Sequence, residues 1–190
     1  MSQSLTILGI AGSLRRHSFN MGALRAAQEL APAGVKVEIF DLSNIPIFNQ
    51  DQERTPPEIV TQFKAAIREA DAILMATPEY NFSTSGILKN AIDWASRPYG
   101  DSAWDSKPVA LMGAGGMSGT SRAQYHLRQV FVFLNMFPLN RPEVLIANAR
   151  ERFDEQGNLK DEPTRQVIGQ MLVALAAWTQ QLARGKAAPA

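Results

Sequence analysis

Seven-residue apolar runs that alternate with helical patterns constrain this chain more than any other feature. "LTILGIA" (5–11) is a buried-strand pattern closed by Gly12. From Phe19 to about Ala31 the period becomes helical, with Met21, Leu24, Ala27 and Leu30 recurring, and Pro32 and Gly34 end it. "VKVEIF" (35–40) alternates as a strand with one wetter side. "DLSNIPIFNQDQERTPP" (41–57) reads as loop. Pro57 opens a helix with Ile59, Val60, Phe63, Ala66, Ile67 and Ala70 on one stripe. "DAILMAT" (71–77) is a third strand, followed by the loop "PEYNFSTSG" and a helix over about 84–96. "KPVALMGA" (107–114) is a fourth strand. A Gly-rich turn at 115–119 then leads into a helix ending near Phe137. "PEVLIANA" (142–149) reads as a fifth strand. "ERFDEQGNLKDEP" (151–163) reads as solvated loop, and the last helix runs from about Thr164 to Arg184.

Five alternations of strand and helix predict an α/β fold. The sheet is parallel and doubly wound, with helices on both faces and right-handed crossovers. The flavodoxin-like strand order 2-1-3-4-5 suits this number of units, in one domain over 1–185 with a flexible tail at 186–190. Ligands of such sheets sit beyond the carboxyl ends of the strands. In this order, the loops after strands one, three and four converge on one crevice.

Those loops are rich in polar groups. "GSLRRHSFN" (12–20) directly precedes a helix, whose N-terminus favours anions. Gly12 permits close backbone approach. Ser13, Ser18 and Asn20 offer neutral donors, and Arg15 a charged one. The stretch lacks the Lys and second Gly of a nucleotide-triphosphate loop, and it lacks G-x-G-x-x-G. "GAGGMSG" (113–119) is a near-match that follows the wrong strand. A single phosphate, as on a mononucleotide, fits best. In "TPEYN" (77–81), Tyr80 can lie against a flat heteroaromatic ring, and nearby backbone N–H groups can face that ring's polar edge.

"GSLRRHSFN", "PEYNFSTSGILKNAIDWASRP" and "RAQYHLRQV" (122–130) together resemble the NADPH-dependent FMN reductase family, in its bacterial chromate and quinone reductase branch. The resemblance spans roughly residues 5–150. It implies FMN as cofactor. The phosphate would be held by Ser13, Arg15, Ser18, Phe19 and Asn20. The ring would lie by Pro78, Glu79, Tyr80, Asn81 and Phe82, with Gly113, Ala114 and Gly115 approaching from the fourth strand. It also implies ping-pong hydride transfer from NADPH or NADH through FMN to a quinone-like acceptor, such as a quinone, azo dye, chromate or nitroaromatic. No side chain is assigned as a catalytic acid or base. The chain departs from the family at Ser85, where Pro is usual, and at Gly113 and Ala114, where Ser or Thr is frequent. The alternatives are a flavodoxin-type FMN electron carrier without NAD(P)H oxidation, and a sensor without turnover.

Charge and composition exclude other classes. The 190 residues carry a formal net charge of +1, so a general nucleic-acid or membrane-surface binder is not expected. There is no Cys, and His17 and His126 are the only histidines, so no metal site is expected. The longest apolar run, "MLVALAAW" (171–178), is far short of the ~20 residues of a spanning helix, and "MSQSLTILG" has no leader pattern. A cytoplasmic protein is expected. The methionines Met112, Met117 and Met136 read as packing residues, and "RERFDE" (150–155) as a solvated turn. The helices at 84–96 and 120–137 carry more apolar surface than one sheet face can cover, with Ile87 and Trp94 off the main stripe and "VFVFLNMF" apolar nearly all round. They are expected to form a homodimer interface, with a homotetramer possible in this family.

Overall fold

The structure is a computed structural model that describes residues 4–187, with side-chain surroundings through residue 185. Its central strands are β1 (Leu5–Ala11), β2 (Val35–Phe40), β3 (Ala72–Ala76) and β4 (Pro108–Ala114). They are joined by α1 (Phe19–Glu29), α2 (Glu58–Glu69) and α3 (Gly86–Ala95). After β4 come α4 (Ser121–Leu134), β5 (Phe137–Pro138), β6 (Val144–Ile146), α5 (Ala149–Arg152) and α6 (Glu162–Ala187). The strands run parallel in the order β2-β1-β3-β4-β5, with β6 also paired to β4. This is the predicted 2-1-3-4-5 topology.

The near-continuous apolar strands follow from burial on both faces. In β3, Ala72, Leu74 and Ala76 face Ala23, Leu24 and Ala27 of α1 and Ile168, Met171 and Leu175 of α6. Ile73 and Met75 face the opposite way, toward Phe63 of α2, Leu88 and Ile92 of α3 and Phe131 of α4. The register places Ala11 of β1 beside Ala76 of β3, and Ala76 beside Met112 of β4. β1 and β3 therefore end level, β4 runs two residues further to Ala114, and the turns that follow the three strands share one edge.

The fifth strand differs from the expectation. In place of one strand over 142–149, two short pieces line β4 at successive levels: Pro108 pairs with Phe137, and Met112 with Val144. Phe137 and Leu139 donate to the carbonyls of Lys107 and Val109 at 2.9 and 2.7 Å. Pro138 between them has no N–H to give. The chain then leaves the edge and returns at Val144. Likewise α4 stops at Leu134, because Asn135 takes a left-handed conformation (φ 53°) that ends the helix.

Segment 151–163 is not simply solvated. Phe153 and Leu159 are buried, and they bridge to one another as a pair of antiparallel residues. Gly157 lies so close to α1 that a side chain on Gly22 would strike its carbonyl oxygen. Arg25 donates to the Gly157 carbonyl and to Asn158 Oδ1 at 3.1 and 3.0 Å. The alternation of apolar with acidic and amide residues hid this tuck in the sequence.

Two apolar surpluses also resolve differently. Trp94 is buried within the chain: its indole N–H donates to the Pro46 carbonyl at 2.8 Å and its ring meets Phe48 edge-on. The loop before α2 covers it. On α4, Phe131 and Leu134 point inward, while Val132 and Phe133 are 82% and 68% exposed. Met112 and Met136 pack in the core, but Met117 stands 91% exposed on the turn after β4. The expected tail at 186–190 begins inside α6, which continues through Ala187; residues 188–190 lie outside the described residues.

Candidate functional site

The turn after β1 begins with Gly12, whose N–H continues the ladder by donating to the Ala76 carbonyl at 2.9 Å. A Cβ here would lie 2.7 Å from Ser85 Oγ and 2.9 Å from Pro78 Cδ. Glycine is thus what lets the turns after β1 and β3 and the start of α3 touch. Ser13 is half-buried at the crevice, and Leu14 to His17 are exposed. Ser18 is buried and caps α1, its hydroxyl accepting from the Met21 N–H at 3.3 Å. The Arg15 guanidinium lies 4.5 Å above the Phe19 ring, whose centroid is 4.9 Å from that of Phe153. The ion pairs of the described residues engage Arg68, Arg122, Arg152 and Arg165, not Arg15. Arg15 is a guanidinium held over a ring at a helix start with its charge unmatched.

Asn20 has another task. Its Nδ2 donates to the Ala114 carbonyl at 3.1 Å and its Oδ1 accepts the Ala114 N–H at 2.9 Å, both bonds buried. The side chain pairs with the last residue of β4 as a neighbouring strand would. It sets the spacing between the turns after β1 and β4.

The turn after β3 is equally fixed. Tyr80 and Ser83 exchange backbone bonds of 3.0 and 2.9 Å across Asn81 and Phe82, which have φ of 51° and 61°. Positive φ at both central residues is the type I′ geometry. Pro78 is buried, while Tyr80, Asn81 and Phe82 are exposed at the edge. Glu79 turns away from them toward α4. Its carboxylate accepts the N–H groups of Arg122 and Ala123, in the first turn of α4, at 3.1 and 3.4 Å, and Nε of Arg122 at 2.5 Å. Burial by itself would raise the Glu79 carboxyl. The Arg122 hydrogen bond, the Ala123 N–H, the Arg122 charge and the Ser118 hydroxyl outweigh it and hold the group below its ordinary value. The N-cap residue Thr120 makes no side-chain cap, so Glu79 supplies from outside the helix the negative charge its N-terminus favours.

On the third side, Gly113 and Ala114 are buried and Gly115 is half-buried at the crevice. A Cβ on Gly113 would fall 1.9 Å from the Thr120 hydroxyl oxygen and 2.4 Å from the Thr77 carbonyl. The space a strand-four hydroxyl would need is filled by the buried Thr120, itself left-handed at φ 68°. No sequence signal marked Thr120. Arg122 stood within a quoted motif without a role.

Open space surrounds this edge. A cleft of about 710 Å³ is lined by Ser13, Arg15, Phe48, Tyr80, Ser85 and Gly86 among others. A second of about 340 Å³ lies between Phe19, Gly115, Gly116 and Asn148. The donor set suits a phosphate monoester: a helix start, the Ser13 hydroxyl and the unmatched Arg15. Nothing lies within 4 Å of the position a Gly116 Cβ would take, so backbone there is open to a flat group. FMN fits these residues.

A doubly wound parallel sheet with hydroxyl and guanidinium groups at the helix start after its first strand, and open backbone after its third and fourth, has the flavodoxin-like architecture that suits a mononucleotide. Comparison with known proteins narrows the class. The family described as NADPH-dependent FMN reductase matches residues 5–151. An NAD(P)H-dependent FMN reductase of Pseudomonas aeruginosa is 50% identical over 184 residues, covering 96% of this chain and 99% of that one. An NADPH:quinone oxidoreductase of Arabidopsis thaliana is 44% identical over 185 residues, covering 94% and 93%. Among solved structures, the flavoenzyme NAD(P)H:(acceptor) oxidoreductase FerB from Paracoccus denitrificans superposes with a TM-score of 0.84 at 33% identity, covering 93% of this chain and 98% of that one. The chain belongs to the NADPH-dependent FMN reductase family. It is an oxidoreductase that draws on FMN and NAD(P)H.

Proposed function

We propose that the protein is an FMN-dependent NAD(P)H:quinone oxidoreductase. The observation that carries the reading is the unmatched Arg15, beside Ser13 and the start of α1, on the same edge as the open turns at 78–82 and 115–116. Relatives named for quinone reduction support the acceptor class, including a 2-hydroxy-1,4-benzoquinone reductase of Burkholderia that is 42% identical over 178 residues.

In this reading Ser13, Arg15 and the start of α1 hold the phosphate, with Ser18 and Phe19 shaping that turn. Pro78, Tyr80, Asn81, Phe82 and Gly115 border the ring. Asn20, Glu79, Gly113 and Ala114 act from behind, fixing the turns that touch it. Bound FMN supplies two-electron transfer between NAD(P)H and the acceptor. The protein's own contribution is orientation: rigid backbone at the ring's edge, and open space for a nicotinamide and then an acceptor. Azo dyes, nitroaromatics and chromate are further acceptors of the same reduced site.

No helix among the described residues is long and apolar enough to cross a membrane. We place the protein in the cytoplasm, as a homodimer using α3 and the exposed Val132 and Phe133 of α4. A tetramer would need a second interface.

The test is a visible spectrum of protein incubated with FMN, desalted, and mixed with NADPH without oxygen. A retained flavin band that bleaches is expected. The double variant Ser13→Ala/Arg15→Ala should weaken FMN binding by about tenfold or more, the scale of losing charge-assisted hydrogen bonds. A band that is retained but stays yellow would replace the enzyme reading with an electron carrier. Unchanged FMN affinity in the double variant would remove the phosphate assignment.

A further inference from the structure

Phe82 is an anomaly in folding terms. A type I′ turn forms most cheaply from Asn-Gly, and Phe82 occupies the glycine position with φ 61°. The residue is 64% exposed, so core burial does not offset the strain. One ring face is nevertheless held: the Arg122 guanidinium lies 3.8 Å from its centroid. Arg122 is itself fixed from below by Glu79, and from the side by Ser118 Oγ, to which it donates at 3.1 Å. Ser83, next in the chain, is tied to α4 through His126 Nδ1 at 3.1 Å. The result is an aromatic plate backed by a cation and mounted on a pinned turn. It stands at the carboxyl edge beside Tyr80, which is 56% exposed.

A strained, exposed aromatic, braced by a guanidinium at a ligand-binding edge, points to a function for its free face. We propose that Phe82 is the stacking surface for the flat ring of the electron acceptor, and that Arg122 is the positioning residue that holds it. This rests on the oxidoreductase reading above. The overall reaction is quinone + NAD(P)H + H⁺ → quinol + NAD(P)⁺. Negative charge builds on the acceptor oxygens as the electron pair arrives, before the second proton is gained. A ring with a guanidinium behind it stacks more favourably on an electron-rich partner, so the plate favours the acceptor as it is reduced.

The experiment compares two acceptors on one enzyme preparation: a water-soluble naphthoquinone sulfonate, which is flat, and ferricyanide, which cannot stack. In Phe82→Gly, a residue suited to positive φ, the melting temperature should not fall. The ratio of kcat/KM for the quinone over that for ferricyanide should fall about fivefold, the scale of one aromatic stacking contact. Phe82→Tyr should restore the ratio. Arg122→Gln should lower it partway, with the plate present but loose. Equilibrium dialysis of the quinone against FMN-loaded protein, with no NAD(P)H, should show the same weakening without turnover. An unchanged ratio in Phe82→Gly, or an equal loss with both acceptors, overturns the proposal. Wild-type protein that takes up FMN and binds the quinone but does not oxidise NADPH would overturn the enzyme reading and leave the dialysis result to judge the plate.

Discussion

Replacing Asn20 by Ala separates two roles that the residue type alone cannot. The structure shows its amide making two buried bonds to Ala114, at 2.9 and 3.1 Å. Truncation leaves the N–H and C=O of one residue at the end of β4 without their partners. Each orphaned buried group costs about 1–3 kcal/mol. Gly115, the next residue, is only half-buried, so water entering from the crevice recovers part of that. We expect a net loss of about 3 kcal/mol, which for a chain of this size is a fall of roughly 6–12 °C in Tm. The loss belongs to the protein without FMN, and urea unfolding of the apoprotein measures it directly. Asn20→Asp should not rescue it: one carboxylate oxygen still accepts from Ala114 N–H, but the other faces the Ala114 carbonyl with no proton to share. An apoprotein of Asn20→Ala within about 1 kcal/mol of wild type, combined with a large loss of FMN affinity, would refute this reasoning and return the amide to the phosphate.

Glu79→Gln should cost about 1–2 kcal/mol at neutral pH, by removing the charge from the N-terminus of α4 and from Arg122. Because the folded-state pKa of Glu79 is lowered, its stabilisation is present above the ordinary glutamate value and is lost as pH falls through the folded value. The gap between wild type and variant should therefore narrow step by step in urea titrations as pH falls below the ordinary glutamate value, and a gap that does not narrow as the pH is lowered would contradict the assignment. Gly12→Ala drives a methyl to 2.7 Å from Ser85 Oγ and 3.1 Å from Leu88 Cβ. It should cost about 1–3 kcal/mol and reduce FMN retention on desalting, while retention equal to wild type would mean the apposition of the turns is not needed. Phe133→Glu should give a monomer by light scattering where wild type gives a dimer, and a wild-type monomer at high concentration would end the α4 interface.

The sheet was legible because its signals are local and repeated: apolar runs, helical stripes, and turns rich in Gly, Pro and Asn. Alternation alone allows more than one order of strands, and the 2-1-3-4-5 order was reached from the number of units the chain holds. The split fifth strand was not legible, since Phe137 and Val144 pair at different levels of β4 and Pro138 breaks the run only in three dimensions. At the site, the sequence identified which residues gather but not which way each polar group turns. Asn20 and Glu79 look like ligand donors, yet Asn20 spends its amide on the backbone of Ala114 at the end of β4, and Glu79 spends its carboxylate on the first turn of α4 and on the Arg122 and Ser118 side chains. Thr120 could not be found at all. Its importance arises because it occupies the volume that Gly113 leaves empty, a relation between two residues with no signature in either. Trp94 likewise read as spare surface because the loop that covers it, through Pro46 and Phe48, carries no pattern of its own.

The turn after β1 is finished by parts of the chain made long after it. Asn20 waits for Ala114, and Phe19 for Phe153. Gly22 and Arg25 close against Gly157 and Asn158, more than 130 positions downstream. On a ribosome, the first fifth of the protein therefore emerges with its helix start and arginine but with neither wall of the pocket. The turn proposed to hold the phosphate takes its final shape only after about residue 160 has cleared the exit tunnel. Cofactor capture is then one of the last events in the protein's synthesis, and a chain arrested short of that point would hold the sequence of the binding turn without its geometry.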